Sequence, residues 1–241
     1  MRRTYLVAAT VLGLLCGLAI FLPLRMGLAV AGQETGGAVY GRVWDGQIFN
    51  AVIAGRPVAH LRVAVSPLPL VTGRLVTHVR ATDPDVNGQA WVEQSLSGGL
   101  SLRDARLVLA PRQISGALES LFSPDDVVSV RLDALRMTGD DCVSATGEAR
   151  TDAVYNLGQR ANLNLPSLSG PIRCSDGAVH VTLNGQAPDA TVEVDLRVSD
   201  MTQGWSVTIE TTSSDLSSLL VSSGFTQDGQ RWTLNGSEAL P

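Results

Sequence analysis

Apolar and polar residues alternate with a period of two along most of the chain. Ala59, Leu61, Val63 and Val65 alternate with His60, Arg62 and Ala64, and Val179, Val181 and Leu183 alternate with His180, Thr182 and Asn184. The clearest case is Val192, Val194, Leu196 and Val198 against Glu193, Asp195 and Arg197. Successive side chains of a strand point to opposite faces, so each stretch predicts a half-buried strand with one apolar and one solvated face. Further strands are expected at 73–81, 89–96, 106–109, 127–137, 145–151 and 205–211. Turn signals fall between them: Asp45-Gly46, Asn87-Gly88, Gly98-Gly99, Asp176-Gly177, Asn184-Gly185 and Asp228-Gly229. That spacing fits antiparallel hairpins and meanders. A glycine followed by an alternating strand recurs, without a strict repeat.

Two short helices interrupt the pattern. Ser213 or Ser214 caps a turn that carries Leu216, Leu219 and Leu220 on one face, and Gly224 supplies a left-handed stop with Phe225 folding back on Leu220. The second, at about 113–122, presents Ile114, Ala117, Leu118 and Leu121. Neither is long enough to be stable alone, so each is expected to cover an end or an open face of sheet. The fold expected is mainly β: a curved antiparallel sheet, partly closed as a barrel or groove so that little polar edge is exposed.

The N-terminus follows a different pattern. Arg2 and Arg3 precede an uncharged, mostly apolar run over residues 4–24. About twenty such residues, at ~1.5 Å rise each, span the ~30 Å hydrocarbon layer of a bilayer. The two arginines put the N-terminus in the cytoplasm, and everything after the run is exported. The alternative is a cleaved signal peptide, for which Ala29-Val30-Ala31 offers a small-x-small site; the length of the run and the position of Arg25 favour a retained anchor. The organisation expected is cytoplasmic residues plus transmembrane anchor at 1–24, a linker at 25–40, and a periplasmic β-rich domain at 41–241 with a further boundary near 123–126.

Composition narrows the chemistry. All eighteen cations are arginine, against twenty-three carboxylates, in 241 residues. Without lysine there is no Schiff base and no P-loop lysine. A formal net charge of -5 argues against nucleic-acid binding, which needs clustered positive charge. All the acids lie beyond the N-terminal run, so the exported part is the acidic one.

Of the three cysteines, Cys16 lies within the apolar run, where it acts as a small apolar residue. Cys142 and Cys174 remain in the exported region, and in an oxidising compartment such a pair forms a disulfide in preference to free thiols. A loop of this size restricts the unfolded chain by on the order of 3 to 4 kcal/mol. A metal site is disfavoured: there is no Cys-x-x-Cys, and His60, His78 and His180 are isolated from one another.

Gly-x-Ser-x-Gly, Gly-x-Gly-x-x-Gly, Walker A and His-Glu-x-x-His are all absent, and each histidine sits on the polar side of an alternating strand. The paired acids Asp125-Asp126 and Asp140-Asp141 lie beside Pro124 and Gly139, where aspartate serves turns and caps rather than glycoside hydrolysis. No catalytic, cofactor or metal residue is identified, and a non-enzymatic role leads.

Three stretches together resemble a known family. Gly41-Arg-Val-Trp-Asp-Gly46, following a Leu22-Pro23 step, resembles the Gly-x-x-Trp-x-Gly signature of type II secretion system protein N. Ser66-Pro-Leu-Pro-Leu-Val-Thr-Gly-Arg-Leu75 resembles its Pro-x-x-Leu-Leu-x-Gly-x-Leu element, with Pro67 and Gly73 in place; the tryptophan often found just before is replaced by Arg62-Val63-Ala64. The third stretch is the cysteine-containing half, with Gly139-Asp-Asp-Cys142, Gly170-Pro-Ile-Arg-Cys-Ser-Asp-Gly177 and a closing Gly224-Phe225. The resemblance implies a single-pass inner-membrane protein with a periplasmic β domain, partnered with other type II secretion proteins in exporting folded proteins across the outer membrane. In the first motif, Gly41 and Gly46 would allow positive φ or close backbone approach while Trp44 anchors into the sheet.

A second reading shares this architecture: a β-groove that carries lipid or another hydrophobic ligand between envelope membranes. Lipid extracted with the protein favours the carrier, and secretion loss on deletion favours the machine.

Overall fold

The computed structural model describes residues 17, 21–30, 36–53, 56–95, 98–110, 123, 125–199 and 202–239. The anchor expected at 4–24 and the helix expected at 113–122 fall largely or wholly outside these residues. Among the described residues no helix is long and apolar enough to cross a membrane.

Fourteen strands form one antiparallel sheet. In chain order they are β1 (Ala38–Arg42), β2 (Asp45–Ile53), β3 (Arg56–Ser66), β4 (Arg74–Thr82), β5 (Val86–Ser95), β6 (Gly99–Leu109), β7 (Val128–Thr138), β8 (Asp141–Thr151), β9 (Leu168–Ser175), β10 (Ala178–Gln186), β11 (Thr191–Val198), β12 (Thr202–Glu210), β13 (Thr226–Asp228) and β14 (Arg231–Ala239). Each strand pairs with its successor up to β12, which pairs with β14, and β13 forms the far edge. The sheet is open: among the described residues β1 and β13 do not pair, so it does not close into a barrel. Four short helices accompany it: α1 (Leu24–Val30), α2 (Pro67–Leu70), α3 (Ala153–Ala161) and α4 (Ser214–Ser222).

Register makes one face of the sheet predominantly apolar up to β14, while the edge strand β13 sets Gln227 opposite Trp232. Across β2 to β5 the row runs Ile48, Leu61, Ala81, Gly88, and across β10 to β14 it runs Leu183, Val194, Val207, Leu234. The middle strands keep this face through bulges, of which those in β6 and β7 change the phase of their own strands and a third, in β8 at Val143, shifts the register against β7. In β6 the apolar positions are Leu100 and Leu102, then Ala105, Leu107 and Leu109; in β7 they are Val128, Val130 and Leu132, then Leu135 and Met137. Each strand changes phase once, because β6 carries an extra residue against β5 between Gln89 and Trp91, and β7 carries one against β8 between Leu132 and Ala134. Asp104, at φ 49°, takes the left-handed conformation that an Asp tolerates at such a kink. The phase change breaks the period-two signal, which is why only 106–109 of β6 is predicted from sequence.

Three predicted turns lie inside strands instead. Asn87-Gly88 belongs to β5, Asn184-Gly185 to β10, and Asp45-Gly46 opens β2. These glycines serve close packing rather than chain reversal. A Cβ on Gly88 would lie 2.6 Å from Leu107 Cδ2, and one on Gly185 would lie 2.8 Å from Leu168 Cδ2. Gly98, Gly177 and Gly229 do occupy turns, with φ of 88°, 73° and 63°.

The core forms two clusters, one over β2 to β4 near the N-terminal edge and one that runs from β7 to β14. At the N-terminal end Leu24 of α1 packs with Ile48, Ala51 and Leu61, flanked by Leu28 and Val63. At the C-terminal end Leu163, Leu165, Leu216 and Leu220 cover Leu168, Ile172, Leu183, Val192 and Trp232. The helix expected near 213 is present as α4, with the Ser213 side chain accepting from the Leu216 N–H and the Phe225 N–H donating to Leu220 O at 3.1 Å. Helix α3 has no counterpart in the sequence reading: it is short, contains Gly158, and its Asp152 makes no side-chain cap. Gly158 is required there, because a Cβ would lie 2.9 Å from Leu165.

Candidate functional site

Among the described residues no three His, Cys, Asp or Glu side chains converge as a metal site. His60 stacks on Phe49 with ring centroids 4.8 Å apart, and His78 lies against Trp91 at 4.6 Å. His180 is the exception to a solvated position, since its Nε2 is buried without a hydrogen-bond partner.

The acid pairs separate. Asp125 is exposed, whereas Asp126 is buried and accepts from the Ser123 N–H at 2.8 Å, Asn156 Nδ2 at 2.8 Å and an Arg160 guanidinium nitrogen at 3.2 Å. Burial pushes its pKa up, but the bonds from Asn156, Ser123 and Arg160, with the Arg160 charge, outweigh this and hold it below the usual carboxylate value. Asp126 therefore ties the chain ahead of β7 to α3. The sequence signal, an Asp three residues after Ser123, marks the turn but not the contact with residues thirty or more positions downstream. Asp140 sits in the exposed turn after Gly139, and Asp141 opens β8.

Cys142 and Cys174 are joined, with Cα atoms 5.5 Å apart. Cys142 is the second residue of β8 and Cys174 the last but one of β9, both past the last paired residues of that ladder, Gly147 and Ile172. The bridge thus closes the end where the two strands no longer pair, aided by the Cys142 N–H donating to Gly177 O at 2.7 Å.

The first motif forms the β1–β2 hairpin. Val43 and Trp44 are its two turn residues, between the paired Arg42 and Asp45. Trp44 is half-buried. Gly41 has φ 85°, and a Cβ there would lie 2.6 Å from Asp45 O. Gly46 is buried beneath Leu24, whose side chain occupies the place a Cβ would need. The second motif forms the turn between β3 and β4. Pro67 begins α2, where the missing N–H costs nothing, and Gly73 closes the turn at φ 71° with its N–H donating to Leu70 O at 3.0 Å.

Both motifs meet at one rim of the sheet. The Val43 N–H donates to Leu22 O at 3.1 Å and the Val65 N–H to Val43 O at 3.2 Å. The end of the N-terminal apolar run, the hairpin turn and the start of the Pro67 turn are thereby linked in sequence by backbone hydrogen bonds. Behind this rim the apolar face crosses β4 to β7 through Val92, Leu102, Leu107, Leu135 and Met137, all half-buried. Of the described helices, α1 contributes to the first core cluster, and α3 and α4 contribute to the second.

No curated protein and no solved structure matches the chain. A family model does: the one described as type II secretion system (T2SS), protein N, over residues 36–234. The matched span holds both motif hairpins, the disulfide and the sheet from β1 into β14, and the chain belongs to the type II secretion system protein N family.

Proposed function

We propose that this secretion-system component is a non-enzymatic inner-membrane protein, anchored by residues 4–24 with its N-terminus in the cytoplasm. Its sheet stands in the periplasm and contributes to export of folded proteins across the outer membrane by contact with other type II secretion proteins. The family match over 36–234 is the observation that carries this reading. The Cys142–Cys174 bridge supports the compartment, since disulfides persist where the environment is oxidising. Among the described residues, His60 and His78 stand in separate ring stacks and Asp126 serves a structural hydrogen-bond cluster, which supports a non-enzymatic role. Deleting the gene tests the proposal: folded substrates should accumulate in the periplasm and reappear outside on complementation, and unchanged export rejects it.

One observation favours a second reading. The half-buried apolar row over β4 to β7 offers a groove for acyl chains, with leucine and valine side chains available on one side. A photo-crosslinking residue at Leu102 in the full chain distinguishes the two: lipid adducts support a carrier, and adducts to protein alone support the assembly role.

A further inference from the structure

The turn between β3 and β4 exposes what a soluble turn normally hides. Leu68 is 82% exposed, Val71 88% and Leu70 43%, in the stretch 66–73 that carries no charge. Two prolines and the bonds from Thr72 Oγ1 and Thr72 N to Pro69 O, at 2.9 and 3.0 Å, hold this turn in shape. Its apolar side chains are thus presented on an ordered support.

The position of the turn identifies what it meets. Val65, two residues before Pro67, is hydrogen-bonded to Val43, and Val43 to Leu22 at the end of the apolar run. Phe21 at that end is itself 62% exposed, with the Arg42 guanidinium 4.6 Å from its ring centroid. If residues 4–24 span the bilayer, the chain leaves the membrane within a few residues of this turn. The charges next to these segments are Arg25, Arg42 and Arg74, together with Asp45, which is neutralised by Arg62 at 3.0 Å, and Glu93, which is shared by Arg74 and Arg103 and so leaves the rim net positive. Uncharged apolar tips flanked by arginine match an anionic lipid surface.

We propose that Leu68, Leu70 and Val71 insert into the interface of the inner membrane beside the anchor, making a second contact that fixes how the sheet stands on the bilayer. This rests on the anchor reading above. A single span leaves the domain free to swivel on its stem, whereas a second contact one hairpin away does not. The rim carrying the turn then faces the membrane, and the opposite ends of the strands point into the periplasm. Apolar side chains at such a surface sit ~5–10 Å into the boundary between headgroups and acyl chains.

The test uses the full chain with Cys16→Ser, reconstituted in phosphatidylethanolamine–phosphatidylglycerol vesicles. A polarity-sensitive fluorophore is attached to Leu68→Cys or Val71→Cys, and to Asn87→Cys as control. Asn87 is exposed near the far end of the nine-residue β4, about 30 Å away at ~3.3 Å per residue. All three sites are exposed, so folding is not at stake, and a protected Cys142–Cys174 pair verifies it. Blue-shifted emission at 68 and 71, with several-fold stronger quenching by lipids carrying a nitroxide near the headgroup than at Asn87, is the expected result. Equal quenching at all three sites overturns the inference. So does a blue shift without lipid quenching, which would mean that a second copy covers the turn. Flotation with the vesicles reads the anchor separately: a floating chain with an unquenched turn overturns only this inference, and a chain that does not float overturns both.

Discussion

Leu24 lies over Gly46, filling the space that any other residue at that position would need for its Cβ. This contact joins the end of the N-terminal apolar run to the second strand of the sheet, and it explains why a glycine stands where no turn is made.

Gly46→Ala is expected to lower stability by about 1 to 3 kcal/mol, because the added methyl meets Leu24 on one side and Arg42 O at 2.9 Å on the other. Gly98→Ala is the comparison. It has φ 88° but nothing within 4 Å of its Cβ, so it loses only the left-handed preference, about 1 kcal/mol. Denaturant titration of both variants measures the difference.

Removing the Cys142–Cys174 bridge by paired alanine substitution should cost about 3 to 4 kcal/mol for a separation of 32 residues. Membrane insertion should be unaffected, since the bridge lies within the sheet. An unchanged melting temperature, or two thiols titratable before reduction, contradicts this.

Asp126 makes stability depend on pH. Its pKa is lowered on folding, so the unfolded chain binds the proton more tightly and protonation favours unfolding. The contribution is fully present above the unfolded value of about 4 and is lost as pH falls through the lower folded value. Asp126→Asn should cost roughly 1.5 to 3 kcal/mol at neutral pH by removing the charged acceptor of three hydrogen bonds, and its deficit against the parent should shrink in acid. Unfolding curves at several pH values read this directly.

On α4, Leu220 is buried against the sheet while its neighbour Val221 is 63% exposed. Leu220→Ala should destabilise by about 2 to 5 kcal/mol. Val221→Ala should lie within about 0.5 kcal/mol of the parent. Equal effects would mean that the helix is not docked as described.

Local pattern carried most strands. Where alternation is unbroken, as in Val192 to Val198, sequence and structure agree on the strand and on its apolar face. Agreement fails in β6, where the bulge at Asp104 changes the phase and a window centred there averages two opposite patterns; β7 is recovered at 127–137 despite its own bulge near Asp133. It fails also at Asn87-Gly88 and Asn184-Gly185, where the dipeptide that best signals a hairpin turn lies within a strand: the glycine is needed by a neighbour's side chain, and no local rule contains that neighbour.

The residues alone determined the class of the molecule: an apolar N-terminal run, an antiparallel β domain, a cysteine pair, and family motifs at Gly41–Gly46 and Pro67–Gly73. The first three follow from period and composition and the last from resemblance to the family, and all are properties of short segments. Tertiary structure decided that the sheet stays open, that Asp126 reaches α3, and that Leu22, Val43 and Val65 bring both motifs to one rim. Those depend on register between strands and on contacts between distant residues. Their energies appear only once the strands are aligned, so no segment carries them by itself.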